Sequence, residues 1–264
     1  MDEIGYDNSL KSYLMGIFSL SGAYIRAGGG RFLYASLMCA MSNLLQVVSL
    51  FLPLKVLIIM SSSNSPFYFQ YLTPYAEVET ILTCLILAVP VIYIVYIVFS
   101  ILYRQLLDTD FRKLKAEGMR SYFSKVNKAH VEKIHPKLSI ALSEIFLVVI
   151  TLVLMLFVNV YSAIVLLFFV MFNLFFLNKY IYGLKSDERR TKVSLDRKQI
   201  IEYLMSCNFM VIFFLLVLGV YYYSLNIFSA VLTLLIARMI FRSLARFSRQ
   251  SFTLKELVLI FKYC

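Results

Sequence analysis

Four arginines near the end of the chain are spaced so that they share one face of a helix: Arg238, Arg242, Arg246 and Arg249. Intervals of four, four and three residues keep their side chains within a narrow arc of a helix with 3.6 residues per turn. If that helix enters the membrane near Asn226 and advances about 1.5 Å per residue, Arg238 lies roughly 18 Å deep and Arg246 roughly 30 Å deep. A cation at membrane depth is costly unless it reaches the surface, pairs or faces water. We therefore interpret this face as the lining of a water-filled cavity that attracts an anionic substrate.

A structural alternative applies to the same face. The helix can simply leave the membrane with its cations at the lipid headgroups, which suits Arg246 and Arg249 better than the deeper Arg238 and Arg242. Glu144 lies about 9 Å inside the inner end of its own apolar segment, at a depth comparable with Arg238 and Arg242. We expect it to pair with one of those two arginines, as either a structural or a gating pair. The predicted substrate-binding residues are Arg238, Arg242, Arg246 and Glu144.

The composition is typical of a helical membrane protein. Of the 264 residues, 61% are hydrophobic, and they fall in blocks near twenty residues long that are separated by charged blocks. The net charge of +11 is compatible with nucleic-acid binding, but that class needs a solvated basic domain with its own core, and the sequence has none. The four cysteines are scattered without a CxxC spacing, which predicts neither a disulfide framework nor a metal site.

The apolar blocks predict six membrane spans: about 32–60, 80–103, 138–157, 163–182, 205–222, and a last span that begins near Ser229 and carries the arginines. Residues 9–26 are too short and too amphipathic to span, so we predict an interfacial helix there. The chain is thus divided into a cytoplasmic N-terminal part, 1–30, and a six-helix transmembrane domain, 31–264. None of the 26 Lys and Arg residues lies in a predicted outer loop. By the positive-inside rule, both termini and the loops at about 104–137 and 183–204 are cytoplasmic.

Two polar pairs have spacings that resemble metal sites. Asp108 and Asp110 form a DTD like that of glycosyltransferases, but without a nucleotide-binding domain the expected role is a solvated helix exit. His130 and His135 are five residues apart, whereas two histidines that bind one metal ion from the same helix are usually four residues apart. We therefore expect both histidines to lie in solvent or to face a partner. No metal site is predicted.

Three apolar segments are similar to those of a known family: SNLLQVVSLFLPLKVLIIM, ETILTCLILAVPVIYIVYIVFSILYRQLL and SAVLTLLIARMIFRSLARFSRQSFTLKELVLIFKY. In this order they resemble the first, second and sixth spans of the transmembrane domain of exporter-type ABC transporters, most closely of the type I secretion branch. The resemblance implies a permease-like subunit that works as a homodimer or heterodimer of transmembrane domains in a bacterial inner membrane. The implied substrate is amphipathic or anionic, such as a glycan, lipid or peptide.

The sequence departs from that family in two respects. It has no GxxxxGK(S/T), so this chain is not expected to be an enzyme or to bind a cofactor, and ATP is expected on a separate nucleotide-binding ATPase subunit. The predicted contact with that partner is Arg112, Lys115, Gly118 and Arg120. The inner loops are also shorter than the family's, which favours an alternative function: a degenerate transporter-like scaffold or assembly subunit of a larger envelope complex, without transport of its own.

Overall fold

The computed structural model describes residues 10–28, 30–61, 78–115, 128–182, 197–223, 225 and 227–263. Within them the regular structure is helical, as predicted. In chain order the helices are α1 (Leu10–Gly28), α2 (Arg31–Ser61), α3 (Val78–Lys113), α4 (Lys128–Val158), α5 (Val160–Leu177), α6 (Arg197–Tyr223) and α7 (Ile227–Tyr263). A π-helical turn, Asn178–Tyr182, extends α5.

Five segments of the described chain are long and apolar enough to cross a membrane: Arg31–Leu54, Leu82–Lys113, Glu132–Val158, Val160–Tyr182 and Lys198–Tyr222. They lie in α2 to α6 and the π-helical turn, and they overlap the first five predicted spans. Apolar side chains cover the outward surface of these helices, as a lipid environment requires; examples on α3 are Leu87, Val91, Ile94 and Val98. The prediction of a helical membrane protein is therefore confirmed.

The predicted sixth span is α7, and it is not among those five segments. Its 37 residues would measure about 55 Å, more than a bilayer core needs. With its four arginines it is the least hydrophobic of the described helices. A sixth crossing stays a prediction.

Helices extend into both segments that were predicted as cytoplasmic loops. α3 continues to Lys113, α4 begins at Lys128 and α6 begins at Arg197. Lys, Arg, Glu and Gln are good helix formers, so a helix does not have to end where its apolar segment ends. By contrast, α4 and α5 are separated by Asn159 alone, whose side chain accepts a hydrogen bond of 3.1 Å from the backbone N–H of Ser162 and so caps α5.

α4 lies at the centre of the bundle, with α2 packed on one side and α7 on the other, while α3 packs mainly on α2 and α6 on α7. Small buried residues allow this close approach. Ser36 of α2 and Ser139 of α4 are both fully buried and share a hydrogen bond of 3.1 Å between their hydroxyl oxygens. α5 and α6 are joined by a hydrogen bond of 2.5 Å from Asn208 Nδ2 to Asn173 Oδ1.

Candidate functional site

The four arginines of α7 lie on one face of that helix, as their spacing predicts. Between Ile236 and Phe247 the helix is buried at every position except three: Arg238 and Arg242 are exposed, and Arg246 retains 35% of its side-chain exposure. The neighbours of the arginines, among them Ala237 and Ile240, are fully buried. The helix thus presents a basic stripe on an otherwise packed surface.

A cavity of about 340 Å³ lies between this stripe and α2. Its polar lining consists of Asn43 and Gln46 from α2 and Arg238, Arg242 and Arg246 from α7; its apolar lining consists of Val47, Leu50, Leu235 and Met239. We call this space the arginine cavity. It brings together three of the four predicted substrate-binding residues. It also adds the amides of Asn43 and Gln46, which are not among the predicted substrate-binding residues.

Glu144, the fourth predicted residue, lies beside this cavity rather than in its lining. The side chain is buried, its Oε1 atom lies 3.0 Å from Nε of Arg246, and its Oε2 atom accepts a hydrogen bond of 2.5 Å from the hydroxyl of Ser243. The Arg246 N–H is not aligned for a hydrogen bond to Oε1, so this contact is an ion pair defined by distance. Glu144 therefore anchors one end of the basic stripe to α4.

The predicted contact partner of Glu144 was wrong, although Arg242 is close enough to interact with it electrostatically. Glu144 pairs with Arg246, whereas Arg238 and Arg242 make no ion pair at contact distance with any described residue. The register between α4 and α7 places Glu144 next to Ser243, which also donates a 3.1 Å hydrogen bond to the Glu144 carbonyl oxygen. Because helical side chains lean towards the N-terminus of their own helix, Arg246 reaches back one turn to this level.

The fourth arginine of the stripe is paired further along α7. Nη1 of Arg249 lies 2.5 Å from Oε1 of Glu202 on α6, and both side chains are partly exposed. An exposed pair of this kind contributes little to stability. The two C-terminal arginines of the basic stripe are therefore paired at contact distance. Arg238 and Arg242, which line the arginine cavity, have no carboxylate at contact distance among the described residues.

The interpretation of Asp110 and His135 as solvated residues was wrong. Oδ2 of Asp110 lies 3.1 Å from Nε2 of His135, and the two side chains are 0% and 1% exposed. Aromatic rings surround the imidazole, with centroids at 5.3 Å for Phe32, 5.4 Å for Tyr24 and 5.5 Å for Phe111. Because α3 and α4 continue as helices and α1 covers their ends, this pair lies in a core. Burial also raises the pKa of the Tyr24 hydroxyl above its ordinary value.

The remaining predicted residues concern partner binding. Arg112 and Lys115 are exposed at the C-terminal end of α3. Gly118, Arg120 and the ring of His130 lie outside the described residues and side chains. Asp108 is exposed, unlike its neighbour Asp110. Among the described residues, no group of three or more His, Cys, Asp or Glu side chains is arranged to hold a metal ion.

The chain was compared with protein-family models, with curated proteins and with solved structures, and none of the three comparisons finds a match.

Proposed function

We propose that this chain is a permease-like subunit of an ABC-type exporter, with a six-helix transmembrane domain that works with an ATPase on a separate chain. In this proposal it moves an amphipathic or anionic substrate, such as a glycan, lipid or peptide, across a bacterial inner membrane. The observation that carries the proposal is the arginine cavity, in which Arg238 and Arg242 face open space without a carboxylate at contact distance among the described residues.

The charge in the cavity supports an anionic ligand. Arg238 and Arg242 are one helical turn apart, so two like charges face the same space, and a bound anion relieves their repulsion. Low-dielectric walls also strengthen the field of these cations at the cavity centre. An arginine with a purely structural role would have a carboxylate at contact distance, as Arg246 has in Glu144. Arg238 and Arg242 have no such carboxylate among the described residues.

The rest of the lining supports a substrate with an apolar part. Leu50 and Val47 of α2 face Leu235 and Met239 of α7 across the same cavity. The amides of Asn43 and Gln46 can donate hydrogen bonds to an anion held by the arginines, or accept them from a sugar hydroxyl. A ligand with a charged end and an apolar body matches both kinds of wall.

The location of Arg238 supports transport rather than headgroup contact. It lies eleven residues after the start of α7, about 17 Å along the helix. In the proposed six-span topology that distance is near the middle of the bilayer core. A cation at that depth is costly unless it reaches the surface, pairs or faces water, and the arginine cavity has room for that water. The exposed residues Arg112 and Lys115 are the proposed contact for the ATPase. The ATPase is proposed to bind the nucleotide, because the sequence of this chain has no P-loop.

The test is purification of the tagged chain from its own host in a mild detergent, for the wild type and for the Arg238→Gln/Arg242→Gln variant. The matched control is Lys133→Gln, an exposed cation on α4 outside the arginine cavity. We expect an ATP-hydrolysing partner to co-purify in all three cases, and stimulation of its activity by a host lipid and glycan extract to be lost only in the arginine variant.

Two outcomes contradict the proposal. If the chain is reproducibly isolated without a nucleotide-binding partner, the proposal that it is an ABC-type transporter subunit is wrong. Co-purification of a large complex whose composition and activity are the same in the wild type and the arginine variant supports the scaffold instead.

A further inference from the structure

A second cavity, of about 390 Å³, lies beyond the arginine cavity towards the C-terminal end of α7. We call it the inner basic cavity. Three helices form it: α4 contributes Lys137, α6 contributes Lys198, and α7 contributes Arg246, Arg249, Gln250 and Thr253. Every one of these side chains is polar, and four of them are cations. Nothing in the sequence connects Lys137 with Lys198, because they are on different helices.

The charge of this cavity is only half compensated within the described residues. Two of its cations are paired, Arg246 with Glu144 and Arg249 with Glu202. Lys137 and Lys198 contact no carboxylate of a described residue. Two positive charges therefore remain, and they come from two different helices.

This arrangement matches the chemistry of a phosphate group. Lysine ammonium groups bind phosphate oxygens as compact point charges, and an arginine beside them adds directed N–H donors. A dianionic phosphate carries the charge that the two lysines leave uncompensated, and Gln250 supplies a neutral amide donor. We propose that the inner basic cavity binds a phosphate-bearing anion, supplied either by the headgroup of an anionic lipid or by a free phosphorylated compound.

Arg246 connects this site to the arginine cavity, because it lines both. Its Nε atom is held by Glu144, and a phosphate in the inner basic cavity competes with that carboxylate for the same guanidinium. Occupation of the inner site therefore weakens the Glu144–Arg246 contact, which borders the arginine cavity. The inner site itself does not depend on the proposed transport function, since its lysines are absent from the other cavity.

The experiment uses the full chain in a neutral detergent and measures its thermal unfolding midpoint during titration with sodium pyrophosphate at constant ionic strength. A second arm reconstitutes the chain in nanodiscs of phosphatidylcholine with or without phosphatidic acid and counts retained lipids by native mass spectrometry. The test variants are Lys137→Gln/Lys198→Gln and the single Lys198→Gln, which changes an exposed residue and is expected to fold. The controls are Lys133→Gln, Arg238→Gln and the charge-conserving Lys137→Arg/Lys198→Arg.

We expect the wild type and all three controls to bind with similar affinity in at least one arm. Loss of the two lysines should weaken binding about tenfold to a hundredfold, the range expected for hydrogen bonds to charged groups. Saturable stabilisation by pyrophosphate identifies a free phosphorylated ligand, and retention of phosphatidic acid alone identifies a lipid headgroup. No binding in either arm, or equal binding by Lys198→Gln, the double glutamine variant and the wild type, overturns the proposal. Loss of binding in Arg238→Gln as well as in the lysine variants overturns the separation of the two sites.

Discussion

Asp110 of α3 and His135 of α4 form a contact of 3.1 Å from which solvent is excluded on both sides. The pair connects the ends of two predicted spans, and α1 and α2 complete its surroundings through Tyr24 and Phe32. The second carboxylate oxygen of Asp110, Oδ1, is buried and accepts no hydrogen bond within the described residues. A buried polar pair of this kind stabilises one arrangement of four helices, because each partner is costly without the other.

Removal of one partner should therefore destabilise the protein measurably. Asp110→Ala leaves the imidazole of His135 buried without its carboxylate, and we expect a loss of about 1–3 kcal/mol in the free energy of unfolding. Asp110→Asn keeps an acceptor for the imidazole and should lose less. Chemical unfolding in detergent, followed by circular dichroism, measures the difference.

The matched control for this variant is Asp108→Ala, two residues earlier on the same helix and exposed. We expect Asp108→Ala to change the free energy of unfolding by less than about 0.5 kcal/mol, as surface substitutions generally do. Equal losses for the two alanine variants would show that the buried pair does not stabilise the fold.

Tyr24 should make the stability of the same region sensitive to alkaline pH. Burial raises the pKa of its hydroxyl above the ordinary value of 10.0, so the folded protein keeps a proton that the unfolded chain releases. The stability contributed by this group is complete below about pH 10 and declines as the pH rises above that value. Thermal unfolding of the wild type and Tyr24→Phe between pH 8 and 11 measures the decline.

Above about pH 10 we expect the thermal stability of Tyr24→Phe to decline less with pH than that of the wild type, since phenylalanine has no proton to lose. Tyr34→Phe is the control, because Tyr34 is 59% exposed. Parallel pH profiles for all three proteins would contradict the assignment.

The parts of this structure that the sequence predicts are those governed by local spacing. The face shared by Arg238 and Arg242 follows from helical periodicity, and the helical segments follow from runs of apolar residues. The hydrogen bond between Asn173 and Asn208 joins α5 to α6, and local spacing does not predict that these two residues are partners. The reason is that the partner depends on which helices are neighbours.

The parts that were predicted wrongly depend on contacts between distant segments. Asp110 follows a charged helix end that resembles a solvated exit, and only the position of α1 and α2 over it makes it a core residue. Glu144 pairs with Arg246 because of the register between α4 and α7, which depth estimates for single helices do not determine. The joint location of Lys137 and Lys198 likewise requires three helices to be assembled.

Substitution of Glu144 and substitution of Arg246 should reduce the free energy of unfolding by different amounts. Glu144 is 1% exposed, whereas Arg246 is 35% exposed and can reorient towards solvent. Arg246→Gln leaves a buried carboxylate without its cation, and the expected loss of unfolding free energy is about 3–5 kcal/mol. Glu144→Gln leaves only a partly exposed cation and keeps a polar contact for Ser243, so its expected loss is about 1–2 kcal/mol.

A double-mutant cycle with Glu144→Gln/Arg246→Gln measures the coupling directly by unfolding in detergent. We expect the double variant to be more stable than Arg246→Gln, because it no longer contains the uncompensated carboxylate. Additive losses, with a coupling below about 0.5 kcal/mol, would show that the 3.0 Å contact makes no net contribution.

The arginine cavity should be filled with water in the membrane, and cysteine labelling can test this. In a variant without the native cysteines, Arg238→Cys and Arg242→Cys should react rapidly with a charged, membrane-impermeant maleimide applied to reconstituted protein or inverted vesicles. A thiol reacts as the thiolate, which forms readily in water beside a cation and poorly in an apolar environment. Ala237→Cys is the buried control on the same helix, and Leu218→Cys is an exposed control on the apolar surface of α6. Slow labelling at position 238 that matches position 218 would mean that the basic stripe faces lipid, and the proposed anion-binding function of the arginine cavity would then be wrong.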